Sequence, residues 1–168
     1  RIVREASMAI DMLESALRAL WGLDTDAAQN VRRRDDGVDR EEVEIEVECF
    51  RLLALQQPFG ADLRQIAFCI KVNQDIERVA DHASSIAKLT LRIDAPAPEW
   101  PTSLVEMGER VPLMCHNLLR AVLSEDVDAA RDVIAGDKLI DRAFPHEKGE
   151  ARSNGHANGV YNAEAVED

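Results

Sequence analysis

Four carboxylates at matched distances from a helix corner are the residues of this chain best placed to do chemistry. Asp35 with Asp39, and Glu77 with Asp81, form two acidic pairs at i and i+4. That spacing sets side chains beside each other on one helix face. Between the pairs lie Pro58 and Gly60, which interrupt two helical segments because proline lacks an amide donor and glycine lets the backbone reverse. Asp39 lies nineteen residues before Pro58 and Glu77 nineteen after it, while Asp35 lies twenty-three before and Asp81 twenty-three after. Folded back as antiparallel helices rising about 1.5 Å per residue, the segments bring all four carboxylates to one level. Like charges at i and i+4 cost roughly 0.2 to 0.5 kcal/mol per pair, and facing the pairs adds repulsion. Two arrangements would offset it. Arg40, Arg78 and Arg33 or Arg34 could pair with the acids over a solvated surface. Alternatively the acids chelate a hard cation, since oxygen-only ligands select Mg, Ca, Mn or iron. Spacing alone leaves both open.

Other reactive side chains offer less. His82 follows Asp81 but points about 100° away around the helix, and fits a surface or interface position. Cys49 and Cys69 read as core thiols. Arg64, Lys71 and Arg78 have the charge to meet a phosphate, but no glycine-rich loop accompanies them. No nucleophile stands beside a base and no ExxH pair occurs, so the chain is not expected to be an enzyme. A histidine phosphotransfer domain, with His82 or His116 as acceptor, calls for a lysine and a small residue one turn on. Ala83, Ser84, Ser85 and Ile86 follow the first histidine, and Asn117, Leu118, Leu119 and Arg120 the second.

The elements that must position the acids are helices. Aromatics make up only 4% of the 168 residues and apolar residues 46%, with Ala, Leu, Glu, Asp and Arg abundant, which favours an all-α fold with an ample core. Apolar residues at Val3, Ala6, Ile10, Leu13, Leu17 and Leu20 describe an amphipathic helix ended by Gly22. Asp24 or Thr25 can cap a second helix that runs to Gln57, with a kink at Gly37. EEVEIEVE, Glu41–Glu48, alternates like a strand, but glutamate favours helix and no partner strand exists, so Val43, Val47, Phe50 and Ala54 read as a helical core stripe. A third helix, Ala61–Arg92, turns Leu63, Ile66, Ala67, Ile70, Ile76, Val79, Ala83 and Ile86 inward, with Glu77 and Asp81 flanking that stripe.

A net charge of -12 argues against nucleic acid and favours cations or basic protein surfaces. Three cysteines without CxxC spacing suggest neither a disulfide framework nor a zinc site. No apolar run approaches the roughly 18 residues of a membrane span, so membrane insertion is not expected. The chain starts at Arg1 without a methionine and reads as a fragment.

Beyond a proline-rich linker, DAPAPEWPT, in which Trp100 is expected to tuck against the bundle, the chain repeats itself. A shift of 102 residues lays Met12–Arg40 over Met114–Arg142, matching Asp24 to Asp126, Asp35 to Asp137 and Asp39 to Asp141. Pro112 falls inside the second copy's first helix, which is expected to kink or start late there. After Phe144 a stretch rich in Gly and Asn lacks apolar periodicity and reads as disordered.

LLALQQPFGADLR, Leu52–Arg64, and IKVNQDIERVADHASSIAKL, Ile70–Leu89, with the ExxxD of Glu77 and Asp81, resemble the corner and third-helix signatures of the PhoU family. Together with the tandem repeat, the likeness covers Ile2 to about Phe144. It implies tandem three-helix bundles: a first over 1–93, nearly complete but with its first helix beginning partway along, a linker over 94–102, a partial second over 103–144 lacking its third helix, and a tail over 145–168. It also implies metal ions, iron or zinc with Mg or Mn as alternatives, held by Asp35, Asp39, Glu77 and Asp81. Asp137 and Asp141 form a weaker second set, and Arg78 and His82 support the ligands. The family's role implies a cytoplasmic adaptor, held at the inner membrane only through partners. It would contact the ATPase of a phosphate ABC transporter and a sensor histidine kinase, and so suppress the phosphate-starvation response. Homo-oligomers are expected, because repeat two exposes an apolar face. A metal-free helical interaction module is the main alternative.

Overall fold

The computed structural model describes residues 1–94 and 96–143, and within them the fold is all helical. Helix α1 runs Ile2–Gly22, α2 Thr25–Gln56, α3 Ala61–Thr90, α4 Thr102–Leu123 and α5 Val127–Ala143. The expected tail, after Ala143, lies outside the described residues.

The first three helices form one bundle. Asp24 caps α2, its carboxylate accepting from the Ala27 amide at 2.9 Å. The reversal before it uses Leu23, φ 48°, in the left-handed region rather than the expected Gly22, which stays helical. At the corner Gln57, φ 45°, and Gly60, φ 61°, turn the backbone around Pro58. Helix α2 passes through Gly37 without interruption. Its core is built largely from small residues: Ala9, Ala16 and Ala19 of α1 meet Ala80, Ala83 and Ala87 of α3, with Met12, Val31 and Val38 filling the centre. Alanine at facing positions lets the helices approach closely.

The inward face of α2 is not the one expected. Val38, Glu41, Ile45 and Cys49 are buried, whereas Val43, Val47, Phe50 and Ala54 face solvent. Because EEVEIEVE carries apolar residues on both sides of a helix, the side that continues Ala28, Val31 and Val38 at three and four spacing turns inward. In α3, likewise, Leu63 and Ala67 are exposed, and Asn73, Ala80, Ala87 and Thr90 join Ala83 as the buried set.

Helices α4 and α5 repeat α1 and α2 in detail. Asp126 caps α5 through the Ala129 amide at 2.9 Å, Glu125 has φ 53° as Leu23 has φ 48°, and the Asp126 amide donates to the Ala121 carbonyl at 2.9 Å as Asp24 does to Ala19. Pro112 is buried inside α4, which begins ten residues earlier at Thr102 and so does not start late. Lacking an amide hydrogen, Pro112 leaves the Gly108 carbonyl without its helical partner. Helix α4 lies against α1, and Trp100 meets Trp21 edge-on with centroids 5.4 Å apart, as the linker's tryptophan was expected to do. Large apolar side chains of the second repeat, including Leu118, Val122 and Ile134, stay exposed.

Candidate metal centre

The α2–α3 hairpin brings the matched carboxylates together. The Asp39 carboxyl is raised above the ordinary range, first by burial and then by the charges of Asp35, Asp81 and Asp36. Glu77 is raised by burial, then by Asp81, Glu42 and Asp39. Equal counting from Pro58 therefore places Asp35, Asp39, Glu77 and Asp81 in one mutual field.

The arginines that could have neutralised that field point elsewhere. Arg34 pairs with Asp11 at 2.6 Å, Arg78 with Asp75 at 3.5 Å, and Arg40 donates from Nε to the Asp36 carbonyl at 2.9 Å. Among the described residues no ion pair reaches any of the four acids. Oδ1 of Asp35 is buried and has no hydrogen-bond partner. An all-oxygen donor set with an orphaned buried oxygen fits a hard cation. No three acidic, histidine or cysteine side chains among the described residues converge tightly enough to hold an ion as they stand.

The acidic field extends further than the motif. Glu42 is raised by burial, then by Glu46 and Asp39. Glu5 of α1 is fully buried, its two carboxylate oxygens have no partner, and burial followed by Glu42, Glu41 and Glu77 pushes its pKa up to about 7. Glu41, also buried, pairs with Arg4. Buried Asn73 donates from Nδ2 to the Glu42 carbonyl at 2.9 Å, which ties α3 to α2 one turn before Glu77. Glu5, Glu42 and Asn73 were missed in the sequence. The one available signal was that Glu42 sits three residues after Asp39, on the flank of the same face.

The residues expected to support the acids make other contacts. Arg78 is taken by Asp75, and exposed His82 borders an apolar groove of about 590 Å³ with Ile86, Leu89 and Trp100. Asp137 is exposed on α5, and the side chain of Asp141 lies outside the described residues. Cys49 is buried as expected and Cys69 half-buried, and Cys49 is raised by burial and by its neighbour Cys69. His116 contacts Glu14 at 2.8 Å.

Comparison with known proteins places the chain in a family. The PhoU domain matches residues 2–90. A phosphate-specific transport system accessory protein PhoU homolog of Pseudomonas aeruginosa is 34% identical over 134 residues, 79% of this chain and 55% of that protein. The homolog of Aquifex aeolicus is 30% identical over 145 residues, 86% of this chain and 66% of that protein. Among solved structures, the phosphate transport system regulatory protein PhoU from Streptococcus pneumoniae superposes with a TM-score of 0.77 at 27% identity, covering 84% of this chain and 67% of that one. The chain thus spans between about half and two-thirds of the length of these relatives.

Proposed function

The chain belongs to the PhoU family, and on that premise we propose that it is an accessory regulator of phosphate transport that works by protein contact rather than turnover. The names carried by its relatives, accessory and regulatory proteins of phosphate transport systems, support that role. The transporter's ATPase and a sensor histidine kinase are the partners this reading calls for, with the protein acting in the cytoplasm, as a homo-oligomer, and reaching the membrane through those partners. No helix among the described residues is long and apolar enough to cross a membrane.

Within that role Asp35, Asp39, Glu77 and Asp81 hold a metal ion, with iron, zinc, Mg and Mn as the candidates, and Asp137 with Asp141 hold a weaker one. The observation that carries this part is the field of facing acids that no arginine among the described residues neutralises. When bound, the metal supplies positive charge at the α2–α3 seam. The chain's own residues set the level of the acids through the Pro58 corner and fix the seam through Asn73. Fully buried Glu5 lies in the same field of acids, and burial together with that field pushes its carboxyl up to about 7.

The regulatory reading is tested in cells that lack their own PhoU protein and carry a reporter of the phosphate-starvation response. Expression of this chain is expected to lower the reporter in high phosphate. A reporter that stays fully induced, with the protein folded and abundant, contradicts the proposal.

A further inference from the structure

The side of α2 that faces away from the bundle carries an apolar stripe that stays exposed among the described residues. Val43, Val47 and Phe50 are 54%, 60% and 54% exposed, and Ala54 continues the row. At about 100° per residue these four fall within an arc of about 60°, opposite Val38, Glu41, Ile45 and Cys49. Isolated exposed apolar residues are ordinary, but four in register along one helix form a docking face.

The two edges of the stripe differ in charge. Along one edge, Asp39, Glu42 and Glu46 follow one another at three and four spacing, and no ion pair among the described residues neutralises them. Glu42 is raised by burial and by both of its neighbours in the row. Along the other edge, Glu44 pairs with Arg1 at 2.8 Å and Glu48 with Arg51 at 2.6 Å. One side of the stripe is therefore charge-matched, and the other is a bare acidic row.

We propose that the Val43–Val47–Phe50 stripe docks an amphipathic helix of another protein, apolar on its contact face and lined with Lys or Arg along the edge that meets Glu42 and Glu46. Helices recognise one another through an apolar seam, and charges beside it set partner choice and orientation. A second copy of this chain, paired antiparallel along the same stripe, would set acidic row against acidic row. The net charge of -12 likewise disfavours an anionic lipid surface. Glu42 and Glu46, which carry the charged edge of the proposed contact, are not among the four acids assigned to the metal, and the test is therefore run in chelator.

The test uses the whole chain in chelator and two labelled synthetic helices of about 20 residues with the same leucine stripe, one with Lys and one with Glu along one edge. Fluorescence anisotropy is expected to show binding of the Lys-edged helix only. Val47→Ser with Phe50→Ser, and separately Glu42→Gln with Glu46→Gln, are expected to weaken it at least about tenfold. Circular dichroism is expected to show that the variants keep their helices, as changes confined to the exposed face should allow. No binding of the Lys-edged helix at hundreds of micromolar, equal binding of both helices, or binding unchanged in either variant overturns the proposal. So does concentration-dependent dimerisation that the Val47 and Phe50 substitutions abolish, because the occupant is then a second copy.

Discussion

Glu14 and His116 occupy the same position in the two repeats, 102 residues apart, and their side chains touch at 2.8 Å. Contact between equivalent positions is what a local twofold relation puts on its axis, so α1 and α4 meet as counterparts. Both side chains are substantially solvated, and exposed pairs of this kind contribute little. Glu14→Ala and His116→Ala are each expected to cost under about 1 kcal/mol in urea unfolding, with a similarly small coupling in the double variant. A coupling of several kcal/mol would mean that this contact, rather than apolar packing, holds α4.

Apolar packing at the same seam depends on Gly108. A Cβ built there would lie 2.7 Å from the Trp21 ring and 3.4 Å from Leu17. Gly108→Ala gains helix propensity but forces the Trp21 indole to move, and overpacking of this kind costs about 1 to 3 kcal/mol. Near-ultraviolet circular dichroism is expected to report the loss of the edge-on Trp21–Trp100 pair while helix content is kept. A spectrum identical to the parent's would show that the seam accommodates the methyl group.

Stability should fall as pH rises. Glu5 has an ordinary value of 4.5, and the fold lifts it to about 7, chiefly by burial. The folded chain thus binds this proton more tightly than the unfolded chain. The stability contributed by protonated Glu5 is complete below the ordinary value and is lost as pH rises through about 7. The raised carboxyls of Asp39, Glu42 and Glu77 act in the same direction. In chelator, the urea midpoint is expected to drop between about pH 5 and pH 8. Glu5→Gln is expected to flatten that drop and stabilise the protein at the upper pH by on the order of 3 kcal/mol. A parent midpoint that rises over this range would contradict the assignment.

Asn73 acts as a positioning residue. Its bond to the Glu42 carbonyl fixes α3 against α2 one turn before Glu77. Asn73→Ala is expected to cost about 1 to 3 kcal/mol, through the lost bond and the small cavity left behind. It is also expected to weaken metal binding without removing a ligand. Isothermal titration with Mn²⁺ checks the second effect, and unchanged affinity in the folded variant would separate the seam from the site.

Much of this was legible in the sequence because it depends on local chemistry or on counting. Pro58 and Gly60 locate the corner, equal distances from it place the acids, Asp24 and Asp126 cap their helices, and the 102-residue shift reveals the repeat. The orientation of α2 was not legible. Valine sits on both of its sides, and only packing against the alanine faces of α1 and α3 decides which turns inward. Burial of Glu5, Glu41 and Asn73 ran against their polarity, and the Arg4–Glu41 pair that shelters one of them joins residues far apart in the chain. Arg34 and Arg78, near the acids in sequence, pair instead with Asp11 and Asp75, which spacing from the four acids alone did not reveal.

Elemental analysis of the purified chain after reconstitution, beside a variant carrying Asp35→Asn, Asp39→Asn, Glu77→Gln and Asp81→Asn, tests the metal centre most directly. These substitutions keep shape while removing charge. Stoichiometric metal in the parent and its loss in the variant is the expected result, with the variant at least as stable as the metal-free parent because like-charge repulsion is gone. A parent that holds no metal after reconstitution with iron, zinc, Mg or Mn would reduce the four carboxylates to solvated charge and contradict the account.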